Sequence, residues 1–242
     1  MNAIEIKGLT KRYGPKTAVD GLDLAVREGE LLALLGVNGA GKTTTIKMLC
    51  CLSAPTAGDA TLLGHSILTD AQGVKEVINV SPQETAVARN LTVRENLELA
   101  AGVYGFARAE ADRKAGELLE QFRLTEVEKS RAKTLSGGMQ RRLSIAMALI
   151  SAPRILFLDE PTLGLDVLAR RELWTAIAAL KGRVTIILTT HYLEEAEALS
   201  DRVAVMANGK LRALGTAEEL KARAGAASFE DAFVKLATEV VA

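Results

Sequence analysis

The 242-residue sequence predicts an α/β fold, a mostly parallel core sheet flanked by helices with a helical subdomain inserted into it. Three observations predict it. Short apolar runs at 155–158, 184–188 and 203–206 alternate with helix-spaced stretches at 168–180 and 193–199, the pattern of a parallel sheet covered by helices. The opening of the chain is rich in β-like runs, at 3–6, 22–26 and 30–35, broken by turn signals at Gly14-Pro15 and Glu28-Gly29. Between Thr92 and Ser151 the spacing becomes helical: Val93, Leu97, Ala100 and Ala101 share one stripe, and Leu118, Leu119, Phe122 and Leu124 another. The expected organisation is one domain over 1–242, a helical subdomain over 84–151 and a terminal helix over 228–242.

Composition narrows the classes of function. At 48% hydrophobic and 25% charged residues, the chain is ordinary for a globular protein and long enough to bury a sizeable core. Thirty basic residues balance thirty acidic ones, so no global field argues for a nucleic-acid partner. Apolar runs such as 31–35 and 155–158 fall far short of the roughly 18–20 residues a membrane-spanning helix needs. The first residues, Met-Asn-Ala-Ile-Glu-Ile, show no basic region followed by an apolar stretch, so the expected location is cytoplasmic. Cys50 and Cys51 are adjacent, with no second pair to complete a zinc site, and are expected to be small buried apolar residues.

Gly36-Val37-Asn38-Gly39-Ala40-Gly41-Lys42-Thr43 fits G-x-x-x-x-G-K-[ST], and it stands between an apolar strand (31–35) and a helical stretch (44–49). Glycines let successive N–H groups converge on phosphate oxygens, and the helix N-terminus adds its positive dipole end. Gly36, Asn38, Gly39, Ala40, Gly41, Lys42, Thr43 and Thr44 are therefore the candidate nucleotide-binding residues, with Lys42 on the β- and γ-phosphates and the Thr43 hydroxyl on Mg2+. The run Ile155-Leu156-Phe157-Leu158-Asp159-Glu160 reads as a buried strand ending in two carboxylates at the edge where parallel sheets bind ligands. Asp159 is the candidate Mg2+ ligand, and Glu160 the group that orients or deprotonates the water attacking the γ-phosphate. These features imply a P-loop NTPase that takes Mg2+ with its nucleotide, and they leave open which kind.

Leu135-Ser136-Gly137-Gly138-Met139-Gln140, opening a helical stretch at 140–150, builds a second anion-binding N-terminus in the same chain. Lying between the two nucleotide motifs, this hexapeptide resembles the signature sequence of ATP-binding cassette (ABC) proteins, and the resemblance covers nearly the whole chain. It implies ATP as the nucleotide and the ABC ATPase type of fold, with an N-terminal antiparallel β subdomain. It also implies that Ser136, Gly137 and Gly138 contact the γ-phosphate of ATP held by a second copy, in a head-to-tail dimer. Other positions carry over from the same resemblance. Tyr13 matches the aromatic residue that stacks on adenine, Gln83 the glutamine that senses Mg2+ and γ-phosphate, and His191 the switch histidine on γ-phosphate. Gly164-Leu165-Asp166 looks like the loop that crosses the dimer seam. Val37 departs from the proline of many members, a change expected to cost little because the residue only shapes the loop. Having both Glu160 and His191 favours a hydrolytically competent site over a degenerate one.

Near the C-terminus, Ser228 and Asp231 form a capping pair, and Phe229, Ala232, Phe233, Leu236 and Ala237 take helical spacing. The short ending resembles the exporter branch that handles sodium, drugs, lipids or polysaccharides. The resemblance implies an ATPase subunit that couples ATP-driven dimerisation to export through separate integral membrane subunits, at the inner face of the cell membrane. An importer ATPase is the alternative within transport. DNA-repair relatives insert a long coiled coil between the nucleotide motifs, and here no sustained heptads occur. Translation-associated relatives usually carry two units per chain, and this sequence shows one.

Overall fold

The computed structural model describes residues 1–238. The chain opens with a hairpin: β1 (Asn2–Tyr13) turns at Gly14-Pro15 into β2 (Lys16–Arg27), with Tyr13 opposite Lys16. β3 (Leu31–Leu35) leads to α1 (Lys42–Leu49), then β4 (Ala57–Leu62) and β5 (His65–Ser66). These outer strands make an antiparallel sheet in the order β2-β1-β4-β5, the N-terminal β subdomain that the resemblance implies. After α2 (Ala71–Val77) and β6 (Ile78–Ser81) come the helices α3 (Val93–Val103), α4 (Arg108–Gln121) and α5 (Gly137–Leu149). The chain then returns through β7 (Ile155–Asp159), α6 (Val167–Ala178), β8 (Thr185–Thr190), α7 (Leu193–Leu199) and β9 (Arg202–Ala207). It continues with β10 (Lys210–Gly215), α8 (Ala217–Ala224) and α9 (Phe229–Thr238). The core sheet runs β10-β9-β3-β8-β7-β6, parallel except where β10 meets β9.

Strand alternation explains the layering. On β7, Ile155 and Phe157 face the antiparallel sheet and α1, while Leu156 and Leu158 face the helices α3 to α6. β8 repeats this with Ile187 on the first face and Ile186 and Leu188 on the second. Apolar residues on both faces are what a central parallel strand requires, which is why these strands read as continuous apolar runs. Ala33 and Leu35 of β3 meet a third cluster holding Phe229 and Leu236 of α9, so the terminal helix packs on its own domain.

Helix starts are specified locally. Thr92 and Glu95 form a capping box on α3, and Thr216 and Glu219 another on α8. Ser136 caps α5 and Asp166 caps α6, and each such cap is worth about 1 kcal/mol. At Ser228 the hydroxyl oxygen accepts from Asp231 N at 3.0 Å and lies 2.7 Å from Asp231 Oδ2, so the carboxylate grips the hydroxyl of the capping residue. Of the helix expected at 228–242, residues 239–242 lie outside the described residues.

Several elements carry no clear sequence pattern. β4, β6 and β10 are short or polar and become strands by pairing with β1, β7 and β9. Cys50 is buried, and burial pushes its thiol pKa up. Cys51 is half-buried and takes a left-handed backbone (φ 56°) in the turn after α1, so the expectation of two buried residues holds for Cys50 alone. Replacing the fully buried Phe157 by Ala is expected to cost about 3–5 kcal/mol, read from urea unfolding midpoints at constant slope.

Candidate functional site

The Gly-rich loop begins where β3 ends. Ala40 N bonds to Val37 O at 3.1 Å, closing the turn, while the Val37 side chain is exposed. Gly41 has φ +103°, and a Cβ there would lie 2.5 Å from Ala18 O, so only glycine fits. Next to it Lys42 starts α1, buried with its Nζ 2.6 Å from Gly36 O, 3.4 Å from Val37 O and 3.7 Å from Glu160 Oε1. Burial lowers the Lys42 pKa, and Glu160 and Asp159 oppose the shift. A desolvated ammonium at the N-terminus of α1 is a receptor for an anion.

β7 delivers the carboxylates. Asp159 is buried, with Oδ1 3.3 Å from Thr43 Oγ1 and accepting from the Thr189 hydroxyl. Glu160 has a left-handed backbone (φ 45°), which a non-glycine residue keeps only when its surroundings hold it. Here Glu160 N bonds to Thr189 O at 3.1 Å and to Thr189 Oγ1 at 3.0 Å. The resulting turn places Oε1 toward Lys42 and Oε2 2.9 Å from His191 Nδ1, an approach that is close yet not aligned as a hydrogen bond.

A cavity of about 510 Å³ gathers residues 38–44 with Gln83, Glu160 and His191. Lys16, Ala18 and Leu163 also line it, and sequence reading missed all three because no motif marks them. Gly36 and Asp159 sit behind the lining, within reach through Lys42 and Thr43. The donors suit a magnesium ion bound with a phosphate: a hydroxyl and a carboxylate oxygen stand together at Thr43 and Asp159.

Two predicted sets lie apart from this cavity. Tyr13, half exposed at the end of β1, is absent from the lining, though its cross-strand partner Lys16 belongs to it. Ser136 and Gly137 are exposed, Gly138 is buried against Ala169, and none of the three lines the cavity. Asp166 accepts from Ala169 N at 2.9 Å and so caps α6 beside them.

A phosphate cradle between β3 and α1, faced by carboxylates from β7, the parallel strand on the other side of β8, defines a P-loop nucleoside triphosphatase. Comparison with known proteins narrows the class. A family model described as "ABC transporter" matches residues 19–163. The chain is 45% identical to the daunorubicin resistance ATP-binding protein DrrA3 of Streptomyces coeruleorubidus, covering 92% of this chain and 71% of that one. It is 44% identical to the doxorubicin resistance ATP-binding protein DrrA of Mycobacterium tuberculosis, over 92% and 68% of the two chains. A solved structure described as the ATP binding subunit of an ABC transporter superposes with a TM-score of 0.85 at 32% identity, covering 97% and 99%. The chain belongs to the ABC transporter family, as an ATP-binding subunit whose ATP hydrolysis is coupled to transport.

Behind the His191 turn lies a group that no motif announced. Glu195, on α7, is fully buried and accepts from Trp174 Nε1 at 3.1 Å, while its Oε2 makes no aligned hydrogen bond. Burial pushes its carboxyl pKa up, against the nearby hydroxyls of Thr190 and Thr162, the Trp174 N–H and the charge of Arg170. A carboxyl whose pKa is raised on folding adds stability below its unfolded value, and that contribution fades as pH rises through the folded one. Glu195→Gln is therefore expected to gain stability relative to the parent as pH rises from about 4.5 to 8, judged by urea midpoints. A gap that stays constant with pH would contradict this.

Proposed function

We propose that this chain hydrolyses Mg-ATP to drive export of an apolar or amphipathic compound through separate membrane subunits. The observation that carries the reading is one cavity that brings the residue 38–44 cradle, Glu160, His191 and Gln83 together. The cradle N–H groups and Lys42 hold the β- and γ-phosphates, and the face of Tyr13 serves the adenine at the rim. Thr43, Asp159 and Gln83 would hold Mg2+, which when bound neutralises charge on the phosphate oxygens. Glu160 orients the attacking water and takes its proton, and His191, beside Glu160 Oε2, holds the γ-phosphate oxygen on the far side. Here the buried Lys42 does double duty, since Glu160 balances its charge until the anion arrives.

Ser136, Gly137 and Gly138 stand at the N-terminus of α5, outside their own chain's cavity. They fit the γ-phosphate of a second copy, which gives a head-to-tail dimer closed by ATP. Residues 84–151 act as a helical subdomain that moves as a rigid body when Gln83 senses the γ-phosphate. At its surface Leu99, Val103 and Tyr104 expose apolar area, and Tyr104 Oη accepts from Asn79 of β6, the strand leading to Gln83. The 83–104 segment is thus the proposed seat of the membrane subunit. Among the described residues no helix is long and apolar enough to cross a membrane, so the proposed location is the cytoplasmic face, peripheral through that partner. The resistance proteins among its relatives support export, and one further relative, 42% identical over 92% of this chain and 13% of its own length, is the phospholipid-transporting ATPase ABCA3 of Homo sapiens. Balanced charge gives no support to a nucleic-acid partner.

Lys42→Ala should weaken ATP affinity about 10- to 100-fold, the loss of charge-assisted bonds to phosphate, and Asp159→Asn should blunt its Mg2+ dependence, both by calorimetry. Unchanged Mg-ATP affinity in both variants would sink the assignment. Glu160→Gln should slow hydrolysis about 100-fold or more while still binding ATP, so light scattering should show dimers in ATP and monomers in ADP. Mixing the inactive Lys42→Ala and Ser136→Arg chains should leave one complete site per mixed dimer. Mixed dimers that neither hydrolyse nor occlude ATP would mean that the signature serves its own chain.

A further inference from the structure

We propose that Arg141 is a positioning residue for hydrolysis: its guanidinium clamps the segment carrying Gln83 and the turn carrying Glu160 onto α5, the helix that Ser136 to Gly138 open. The reading rests on the roles proposed above for Gln83 and Glu160. Arg141 is 3% exposed, one turn into α5. Its Nε donates to Pro161 O at 2.8 Å and Nη2 to Asp159 O at 2.9 Å, the carbonyls on either side of Glu160. Nη1 donates to Pro82 O and, at 3.3 Å, to Gln83 O.

The place of these bonds in the sheet shows what they do. The β6–β7 ladder ends at the pair Ser81 and Leu158, and beyond it both segments carry a proline, Pro82 and Pro161, which has no N–H to extend the pairing. Two catalytic segments therefore leave the sheet at the same level with carbonyls that no strand can satisfy. The planar guanidinium supplies five donors in a fixed fork, enough to span both. Glu160 also needs support, because its left-handed backbone persists only if the neighbouring peptides are held. Burial pushes the Arg141 pKa down to about 10, with Asp159 and Glu195 opposing, so the group is charged at neutral pH. Arg142, the next residue, works instead within the helical layer, where it donates to Phe122 O at 3.2 Å and lies 3.4 Å from Glu172. Through Arg141 a displacement of α5, whose first residues are those proposed to meet the second copy's nucleotide, pulls on Gln83 and Glu160 together.

The test compares the full chain with Arg141→Met, which keeps volume and removes all donors, and Arg141→Lys, which keeps charge but cannot reach both segments. Amides in 83–88 and 160–165 should exchange with deuterium about tenfold faster or more in Arg141→Met without nucleotide, with the β3 and β8 amides unchanged. ATP affinity and KM should stay within about threefold, because the guanidinium bonds to no cradle residue, while kcat falls about tenfold or more. Arg141→Lys should move both readouts the same way by a smaller factor, and it carries the test if the Met variant fails to fold. Parent-like exchange in both segments overturns the proposal, as does a drop in rate fully explained by fewer folded, ATP-binding molecules. Glu160→Gln is assayed alongside: if it hydrolyses ATP at the parent rate, the role given to Glu160 falls, and the exchange data still judge the clamp.

Discussion

The register of three parallel strands governs everything at the site. Leu35 of β3 lies opposite Thr190 of β8, and Asp159 of β7 opposite Thr189, so Gly36 and His191 leave the sheet at one level and Glu160 one residue before it. These strands are apolar on both faces, so a slip of one residue would not expose them. It would exchange the differently shaped side chains of the two layers, such as Phe157 for Leu158 on β7, and the lost packing fit opposes it. Thr189 ties the level together chemically, since its hydroxyl accepts from Glu160 N and donates to the Asp159 carboxylate. The layering of the core thereby determines the spacing of the groups that line the candidate site.

Charge inside this edge is costly and is retained because it is matched. Lys42, Asp159, Glu195 and Arg141 are all buried, and an unpaired ion in such surroundings would lose several kcal/mol of hydration. Lys42 meets Glu160 and two carbonyls, Arg141 meets four carbonyls, and Asp159 meets two hydroxyls. Glu195 is the least satisfied, with Oε2 left without an aligned bond and burial raising its pKa. Such a site holds its geometry before substrate arrives, which is the form of preorganisation that electrostatic catalysis needs.

Local chemistry made much of this legible. The Gly-rich loop, the apolar strand ending at Asp159 and Glu160, and the Ser136 cap of α5 each depend on neighbours within a few residues, and each stands where the pattern put it. Strands buried on both faces announce themselves as apolar runs, whereas β4, β6 and β10 are strands because of their partners and carry no such mark. Lys16, Ala18 and Leu163 escaped notice for the same reason: the chain brings them to the cavity from the hairpin and from the turn after β7.

The sequence by itself determined the local features: a Gly-rich loop between strand and helix, two carboxylates at a strand end, where the helices start, and the alternation that layers the sheet. Those properties follow from side-chain type and spacing along a few turns or one strand. Only the tertiary structure decided which groups meet. That Arg141 reaches across to carbonyls of Pro82, Gln83, Asp159 and Pro161, that Glu195 is sealed beneath the His191 turn, and that Ser136 to Gly138 stand apart from their own cradle depend on contacts between distant segments. Long-range pairing and burial set those contacts, and neither is written in the local spacing of residues.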